Sequence, residues 1–195
     1  MTIAPDYSPS AIHADYHVPV RIGTDAALAL SMCKVIIDAG LYQKQFVQEQ
    51  TDLPLLVRTD TGRFLRGSDV AVGDREDQFY WWDMSTNTLT TAPRHTLATT
   101  GVDPALEGSF QVMLKDGKTV EVEPGFVRLR RHLEDYEPEK AAAVCEVNAD
   151  NIRSLARKVA TRKTKIFIGW NSGKYYHGDL MERSMALLLG LTGNW

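Results

Sequence analysis

The sequence predicts an α/β fold, a Rossmann-like three-layer segment that carries a peripheral β-hairpin insertion. Three observations predict it: strand-like and helix-like apolar segments alternate, glycine-bearing loops follow the strand-like segments, and an irregular stretch with one hairpin interrupts the alternation. We expect residues 1–61 and 126–195 to form the α/β parts and residues 62–125 to form the insertion.

The composition is that of a globular chain with a sizeable core. The 195 residues are 44% hydrophobic and carry a formal charge of -3, so no positive field favours nucleic acid as a partner. Cys33 and Cys145 stand alone in apolar runs, which predicts neither a disulfide framework nor a zinc or iron–sulfur motif. No apolar run approaches the roughly 20 residues of a membrane span.

The first part of the chain alternates strand and helix patterns. One extended segment ends near Ile3, and another leads into Gly23. Residues 26–39 are apolar on nearly every face, which predicts a buried helix capped by Thr24 or Asp25. Two shorter elements are predicted next, a helix over residues 42–50 and a strand over residues 53–57.

The insertion begins with residues 62–108, which show no periodicity and are predicted to be irregular. Residues 110–114 and 119–122 then alternate in hydrophobicity around Asp116 and Gly117, the pattern of a hairpin with a tight turn.

The last part of the chain returns to helix and strand patterns. Helices are predicted over residues 126–133 and 138–145, and a third, clearly amphipathic helix is predicted to be capped by Asp150. An apolar run over residues 165–170 predicts a buried strand. A loop over residues 171–178 and a further helix follow, for which Asp179 and Glu182 predict a capping box. The apolar elements at both termini favour a piece of a longer protein.

Two metal- or phosphate-binding motifs lack the residues that their chemistry needs. His13 and His17 have the spacing of a zinc protease helix, but Ala14 stands where the catalytic glutamate is required. Gly173 and Lys174 resemble the end of a P-loop, but Ile168 and Tyr175 replace its first glycine and its magnesium-binding hydroxyl. We predict no metal ligand in this chain.

In α/β sheets, ligands bind beyond the carboxyl ends of the strands. This rule singles out three loops, which follow Ile3, surround residues 23–25 and span residues 169–179. Backbone N–H groups at the helix start after Gly23 suit an anion, and the Asp25 carboxylate can accept two N–H bonds from a guanine edge. Helix capping alone is the alternative explanation of this tripeptide.

Three segments resemble the catalytic subunits of the dimethyl sulfoxide reductase family of molybdopterin oxidoreductases. They are residues 3–9 (IAPDYSP), residues 21–28 (RIGTDAAL, with Ile22 where the family has proline), and residues 168–179 with 191–194. Residues 55–65 and 174–179 are most similar to the type II branch, which includes nitrate reductase, selenate reductase and ethylbenzene dehydrogenase.

The resemblance implies a segment of a molybdopterin-binding domain that binds molybdenum bis(molybdopterin guanine dinucleotide) for two-electron oxygen-atom transfer or hydroxylation. It implies that Asp6 lies near a guanosine ribose and that Gly23, Thr24 and Asp25 meet the guanine. The cofactor-binding residues so implied are Asp6, Arg21, Gly23, Thr24, Asp25, Gly169, Asn171, Ser172 and Gly173. Lys174 and His177 would be catalytic, Lys174 through its positive charge and His177 as a proton relay.

The resemblance also implies that the molybdenum ligand and the iron–sulfur cysteines lie upstream of this chain. The expected partners are the rest of the same subunit, an iron–sulfur electron-transfer subunit and a small-molecule substrate, with a periplasmic or membrane-associated location. The alternative is a stand-alone α/β ligand-binding module without redox activity, and the flanking DNA would distinguish the two.

Overall fold

Two structural units divide the chain in the computed structural model, which describes residues 1–9, 11–96, 98–169 and 172–195. Unit 1 comprises Met1–Gln43 and Leu133–Trp195, and unit 2 comprises Lys44–His132. The α/β class predicted from the sequence is confirmed. The three-part organisation, with boundaries after residues 61 and 125, stays a prediction.

Unit 1 is built around the apolar helix α1, which spans Asp25–Asp38. The helices that pack against α1 are a 3₁₀ helix at Leu133–Tyr136, α5 at Pro138–Cys145, α6 at Ala149–Thr161 and α7 at Gly178–Thr192. Residues from successive faces of α1, including Leu28, Met32, Cys33 and Ile36, are buried. Because neighbours surround this helix, its sequence carries no amphipathic pattern.

Lys34 is the charged residue that α1 buries. Its Nζ lies 2.7 Å from Asp38 Oδ2 and 3.1 Å from Glu137 Oε1, while only 9% of its side chain is exposed. Burial alone would lower the pKa of Lys34, but the hydrogen bonds and charges of the two carboxylates together raise it above its ordinary value.

The strands of unit 1 are short and parallel. β1 (Thr2–Ile3) pairs with β2 (His17–Val18), with Thr2 opposite His17. The Thr2 N–H donates to Tyr16 O at 2.8 Å, and the Ala4 N–H donates to Val18 O at 3.2 Å. A 3₁₀ helix at Ala11–His13 lies between the two strands in sequence, where the sequence had predicted only a loop.

The buried strand predicted over residues 165–170 is not formed, and this prediction is wrong for the described residues 165–169. Phe167 is 92% exposed and Ile168 is 42% exposed. No strand of the described chain pairs with this segment, so its backbone has no ladder to join, and of its described apolar side chains only Ile166 is half-buried. Trp170 lies outside the described residues.

Unit 2 contains two antiparallel sheets. The first has the order β3 (Leu56–Arg58), β7 (Thr119–Pro124), β6 (Phe110–Met113), and its β6–β7 pair is the predicted hairpin. The second pairs β4 (Tyr80–Asp83) with β5 (Thr88–Thr91) inside the stretch predicted to be irregular. The helices of unit 2 are α2 (Lys44–Gln50), α3 (Gly67–Val70) and α4 (Gly125–His132).

Two helix starts differ from the predicted ones. The N-cap of α6 is Asn148, whose side chain accepts a hydrogen bond from the Asp150 N–H at 2.8 Å, so Asp150 lies inside the first turn. The N-cap of α7 is His177, in a left-handed conformation with φ +57° and without a side-chain cap. Among the described helices, none is long and apolar enough to cross a membrane.

Candidate cofactor-binding site

The parallel pairing of β1 and β2 brings two of the predicted loops to one edge. Asp6 follows the carboxyl end of β1, and the loop that contains Gly23 follows the carboxyl end of β2. Carboxyl ends of parallel strands share one edge of a sheet, the edge at which α/β proteins bind ligands. Asp6 is exposed, and its backbone carbonyl accepts a hydrogen bond from the Ser8 N–H at 3.0 Å.

Gly23 forms the corner of the second loop. Its φ is +79°, a conformation that favours glycine, and a Cβ at this position would meet no atom within 4 Å. The turn is closed by the Thr24 N–H, which donates to Arg21 O at 3.2 Å, and by the Thr24 hydroxyl, which donates to the same carbonyl at 2.6 Å. The space over Gly23 is therefore open to a ligand at close range.

The start of α1 has no side-chain cap, which corrects the prediction that Thr24 or Asp25 serves as one. Thr24 is the N-cap residue, but its hydroxyl is turned back toward Arg21 O. The N–H groups of Ala27 and Leu28 donate to Thr24 O, at 3.0 and 3.4 Å. The Thr24 hydroxyl therefore does not cap the first turn, which also carries the half-buried Asp25. The N–H groups at an uncapped helix start favour an anion or a polar ligand edge.

Arg21 anchors this loop to the end of α5. Its backbone N–H donates to Cys145 O at 3.0 Å, and its guanidinium lies 3.9 Å from Glu146 Oε1. Both side chains are more than half exposed, so the ion pair leaves the guanidinium accessible to a ligand.

The third predicted loop is a compact turn in front of α7. A 3₁₀ helix at Ser172–Lys174 begins it, with the Ser172 N–H donating to Gly169 O at 3.0 Å. The Gly178 N–H donates to Tyr175 O at 2.8 Å and closes it. Lys174 and His177 are both exposed, and the His177 ring lies 4.0 Å from the Tyr176 ring between centroids. Asn171 lies outside the described residues.

Packing of α1 against α7 brings the two helix starts to one side of unit 1. The helices have 14 and 15 residues, and the chain that leaves the C-terminal end of α1 binds α7 near its own C-terminal end: the N–H of Gln43, five residues beyond Asp38, donates to Leu191 O at 2.8 Å. Two packed helices of nearly equal length that meet at their C-termini run in the same general direction. The loop at Gly23 and the loop before Gly178 therefore lie toward the same end of this helix pair.

Two residues of α7 that contact the third loop, Gly178 and Glu182, were not identified from the sequence as site residues. The Ser172 hydroxyl lies 2.7 Å from Glu182 Oε1, so Glu182 binds the loop rather than forming the predicted capping box with Asp179. Gly178 is buried against the backbone of Ser172 and Gly173. The glycine itself was visible in the sequence, but nothing there indicated its close approach to the loop.

The described residues hold no group of three or more histidine, cysteine, aspartate or glutamate side chains that could bind a metal ion. The donors at the Gly23 and Ser172 loops are backbone N–H groups, hydroxyls and single charged side chains. This donor set fits an organic, anionic or nucleotide ligand.

Comparison with known proteins identifies close relatives, although no family model matches the chain. Over its whole length the chain is 41% identical to the perchlorate reductase subunit alpha of Dechloromonas aromatica and 38% identical to the dimethylsulfide dehydrogenase subunit alpha of Rhodovulum sulfidophilum. Over 97% of its length it is 38% identical to the respiratory nitrate reductase subunit alpha of Haloferax mediterranei. It spans 24%, 22% and 21% of the lengths of these three relatives.

Among solved structures, acetylene hydratase from Pelobacter acetylenicus has the same fold over 99% of this chain and 17% of its own, with a TM-score of 0.57 and 20% identity. The relatives named above are each called subunit alpha, a term for one component of a multi-subunit enzyme. Sequence similarity across the whole chain and the shared fold agree on one assignment. The chain belongs to the dimethyl sulfoxide reductase family of molybdopterin oxidoreductases.

Proposed function

We propose that this chain is the part of a molybdenum oxidoreductase catalytic subunit, of the type II branch, that binds a molybdopterin guanine dinucleotide. The observation that carries the proposal is the shared edge of β1 and β2, where Asp6 and the Gly23 loop follow parallel strands. The uncapped start of α1 lies at that loop. The space over Gly23 and the N–H donors beside it fit a nucleotide.

Within this site, Asp25 recognises the guanine base. A carboxylate accepts two hydrogen bonds from the N1–H and the exocyclic amine of guanine, whereas adenine offers no such pair of donors. Asp6 binds the ribose, and Arg21 offers an exposed guanidinium to the phosphates. Gly23 and Thr24 provide the turn that brings the base close to the backbone.

The third loop is assigned to the pterin and the substrate. Gly169, Asn171, Ser172 and Gly173 contact the pterin side of the cofactor, which supplies the two-electron chemistry when it is bound. The ammonium group of Lys174 stabilises negative charge on the substrate or on the oxygen that is transferred. The His177 imidazole, three residues further on, relays protons to or from the substrate.

A small-molecule substrate and a second subunit complete the proposal. Relatives named for perchlorate, chlorate and nitrate act on small oxyanions, and a lysine in the substrate cavity suits that class. Their names also mark them as one subunit among several, and an iron–sulfur electron-transfer subunit is the proposed partner. The rival function, a binding module without redox activity, is not favoured by relatives that are all named reductases or dehydrogenases at 36–41% identity.

The test is the substitution Asp25→Ala in the complete subunit, purified from a host that makes the cofactor. Loss of a carboxylate that pairs with guanine leaves two donors unmatched, at a cost of about 1–3 kcal/mol. This weakens cofactor affinity by roughly ten- to hundredfold and lowers the molybdenum and guanine content of the purified subunit. Asp150→Asn is the matched control, because Asp150 also lies in the first turn of a helix. Full molybdenum and guanine content in Asp25→Ala would refute the assignment.

A further inference from the structure

Glu182 is the residue through which α7 holds the loop in front of it. It lies in the first half of α7, at Gly178–Thr192, and is half-buried. Its Oε1 lies 2.7 Å from the Ser172 hydroxyl, whose oxygen is also 2.8 Å from Gly169 O. The hydroxyl has one proton to share between these acceptors, and a carboxylate is the stronger of the two.

Glu182 also packs against the backbone of the loop. A Cβ added at Gly173 would lie 3.2 Å from Glu182 Oε1, so the glutamate lies directly beside the Gly173 backbone. At the other end of the loop, a Cβ at Gly178 would lie 2.6 Å from Ser172 O and 2.7 Å from Gly173 O. Residues 172–178 thus form a loop whose two ends touch, with Glu182 bound to its first residue.

Lys174 and His177 both lie inside this closed loop. The side chains of both are exposed. The His177 carbonyl accepts hydrogen bonds from the Leu180 and Met181 N–H groups at 3.0 and 3.1 Å, so the start of α7 fixes the backbone at that end of the loop. The placement of Lys174 relative to His177 depends on the closure of the loop, to which the hydrogen bond between Ser172 and Glu182 contributes.

We infer that Glu182 is a positioning residue: through Ser172 it holds the loop of Lys174 and His177 in its working conformation. This inference rests on the proposed function, which assigns Lys174 and His177 to the substrate. Glu182 itself does not touch the reacting atoms. Its neighbour Arg183 is exposed on the same helix and makes no equivalent contact with the loop in the described structure.

The experiment compares Glu182→Ala, Glu182→Gln, Ser172→Ala and the double variant Ser172→Ala/Glu182→Ala in the complete holoenzyme, with Arg183→Ala as the control. Amide hydrogen exchange over residues 172–178 reports loop closure, and turnover is measured per bound molybdenum. We expect Glu182→Ala to speed exchange by about tenfold or more and to lower kcat by a similar factor, with molybdenum content retained. Glu182→Gln keeps an acceptor oxygen and should recover most of the exchange protection and most of kcat.

The double variant separates positioning from other effects. If Ser172 and Glu182 act through one hydrogen bond, it should be no worse than the more impaired single variant. Additive losses, or unchanged kcat in a Glu182→Ala variant with accelerated exchange, would overturn the inference. Failure of the proposed function has a different signature: Lys174→Ala would then leave turnover normal in a subunit that carries its full molybdenum and pterin content.

Discussion

Gly178→Ala is the substitution whose effect follows most directly from the geometry of the third loop. The added Cβ would lie 2.6 Å from Ser172 O and 2.7 Å from the carbonyl carbon and oxygen of Gly173. All three are backbone atoms, so no flexible side chain can move aside. Either the loop or the start of α7 has to shift.

The size of that shift can be estimated from ordinary contacts. A carbon and a carbonyl oxygen approach to about 3.3 Å, so the loop must move by roughly 0.7 Å. The same movement would stretch the 2.7 Å contact between the Ser172 hydroxyl and Glu182 Oε1 beyond hydrogen-bond length. Losing a hydrogen bond to a charged group and overpacking the contact together cost about 2–4 kcal/mol of local stability.

Gly190→Ala on the same helix is the matched control. Gly190 lies within α7 at Gly178–Thr192, and a Cβ there would meet nothing within 4 Å. Alanine is the better helix former, so Gly190→Ala should stabilise the helix by about 0.5–1 kcal/mol.

Hydrogen exchange and limited proteolysis of residues 172–178 measure the result. Gly178→Ala should accelerate both processes by roughly thirtyfold to a thousandfold, and Gly190→Ala should leave them unchanged. If Gly178→Ala protects the loop as well as Gly190→Ala does, the close packing of Gly178 on Ser172 is not a constraint, and the reasoning fails.

Three further predictions concern unit 1. Lys34→Met should lower the free energy of unfolding by about 1–3 kcal/mol near pH 7, because two carboxylates lose their cation. The pKa of Lys34 is raised on folding, so its contribution is complete below pH 10.5 and is lost as the pH rises through the higher folded-state value. The free energies of unfolding of the wild type and of Lys34→Met, measured from denaturation curves, should converge at high pH. A constant difference between them from pH 8 to 12 would contradict the argument. Phe167→Asp should reduce self-association of the 195-residue chain produced alone, because Phe167 is 92% exposed. Light scattering checks this, with Val72→Asp, at an 87% exposed position in unit 2, as a control expected to change association less. Lys174→Ala should keep the molybdenum and pterin content of the holoenzyme and lower turnover by roughly a hundredfold. Normal turnover in a Lys174→Ala variant with full molybdenum and pterin content would show that Lys174 is a solvated surface residue without a role in turnover.

The helices of unit 1 could be predicted because their residues indicate where each helix begins and how much of it is buried. α5 begins at Pro138 and ends at Cys145 as predicted, since proline favours the first turn of a helix. α1 was predicted from apolar residues on nearly every face, which only a surrounded helix tolerates.

The prediction errors arise where partners distant in sequence decide the structure. The β4–β5 hairpin was missed because its first strand buries Tyr80, Trp81 and Asp83 instead of alternating. Asp83 is buried because its carboxylate accepts hydrogen bonds from the Ser85 and Asp103 N–H groups, and these also lower its pKa. No local pattern reveals such acceptor sites.

The rule for α/β sheets led to the prediction of the site loops, but it could not predict their internal contacts. Residues 23–25 and 172–178 both lie before helices, as predicted from glycines and apolar periodicity. Glu182 accepts a hydrogen bond from the Ser172 hydroxyl instead of forming a capping box. This contact depends on how the chain turns between two residues that are ten positions apart. The three-residue spacing in the sequence favoured Asp179 as the partner of Glu182.

The division of unit 1 into two separated segments has a consequence for biosynthesis. The helices that cover α1 belong to Leu133–Trp195, whereas α1 itself lies before the roughly ninety residues of Lys44–His132. A ribosome adding about 5–20 residues per second needs on the order of 5–20 s to translate that interval. During this delay α1 emerges with apolar faces on nearly every side and no neighbours, while the uninterrupted segment of unit 2 can already fold. We therefore expect the nascent chain to depend on chaperone protection of α1 until α5, α6 and α7 have left the ribosome.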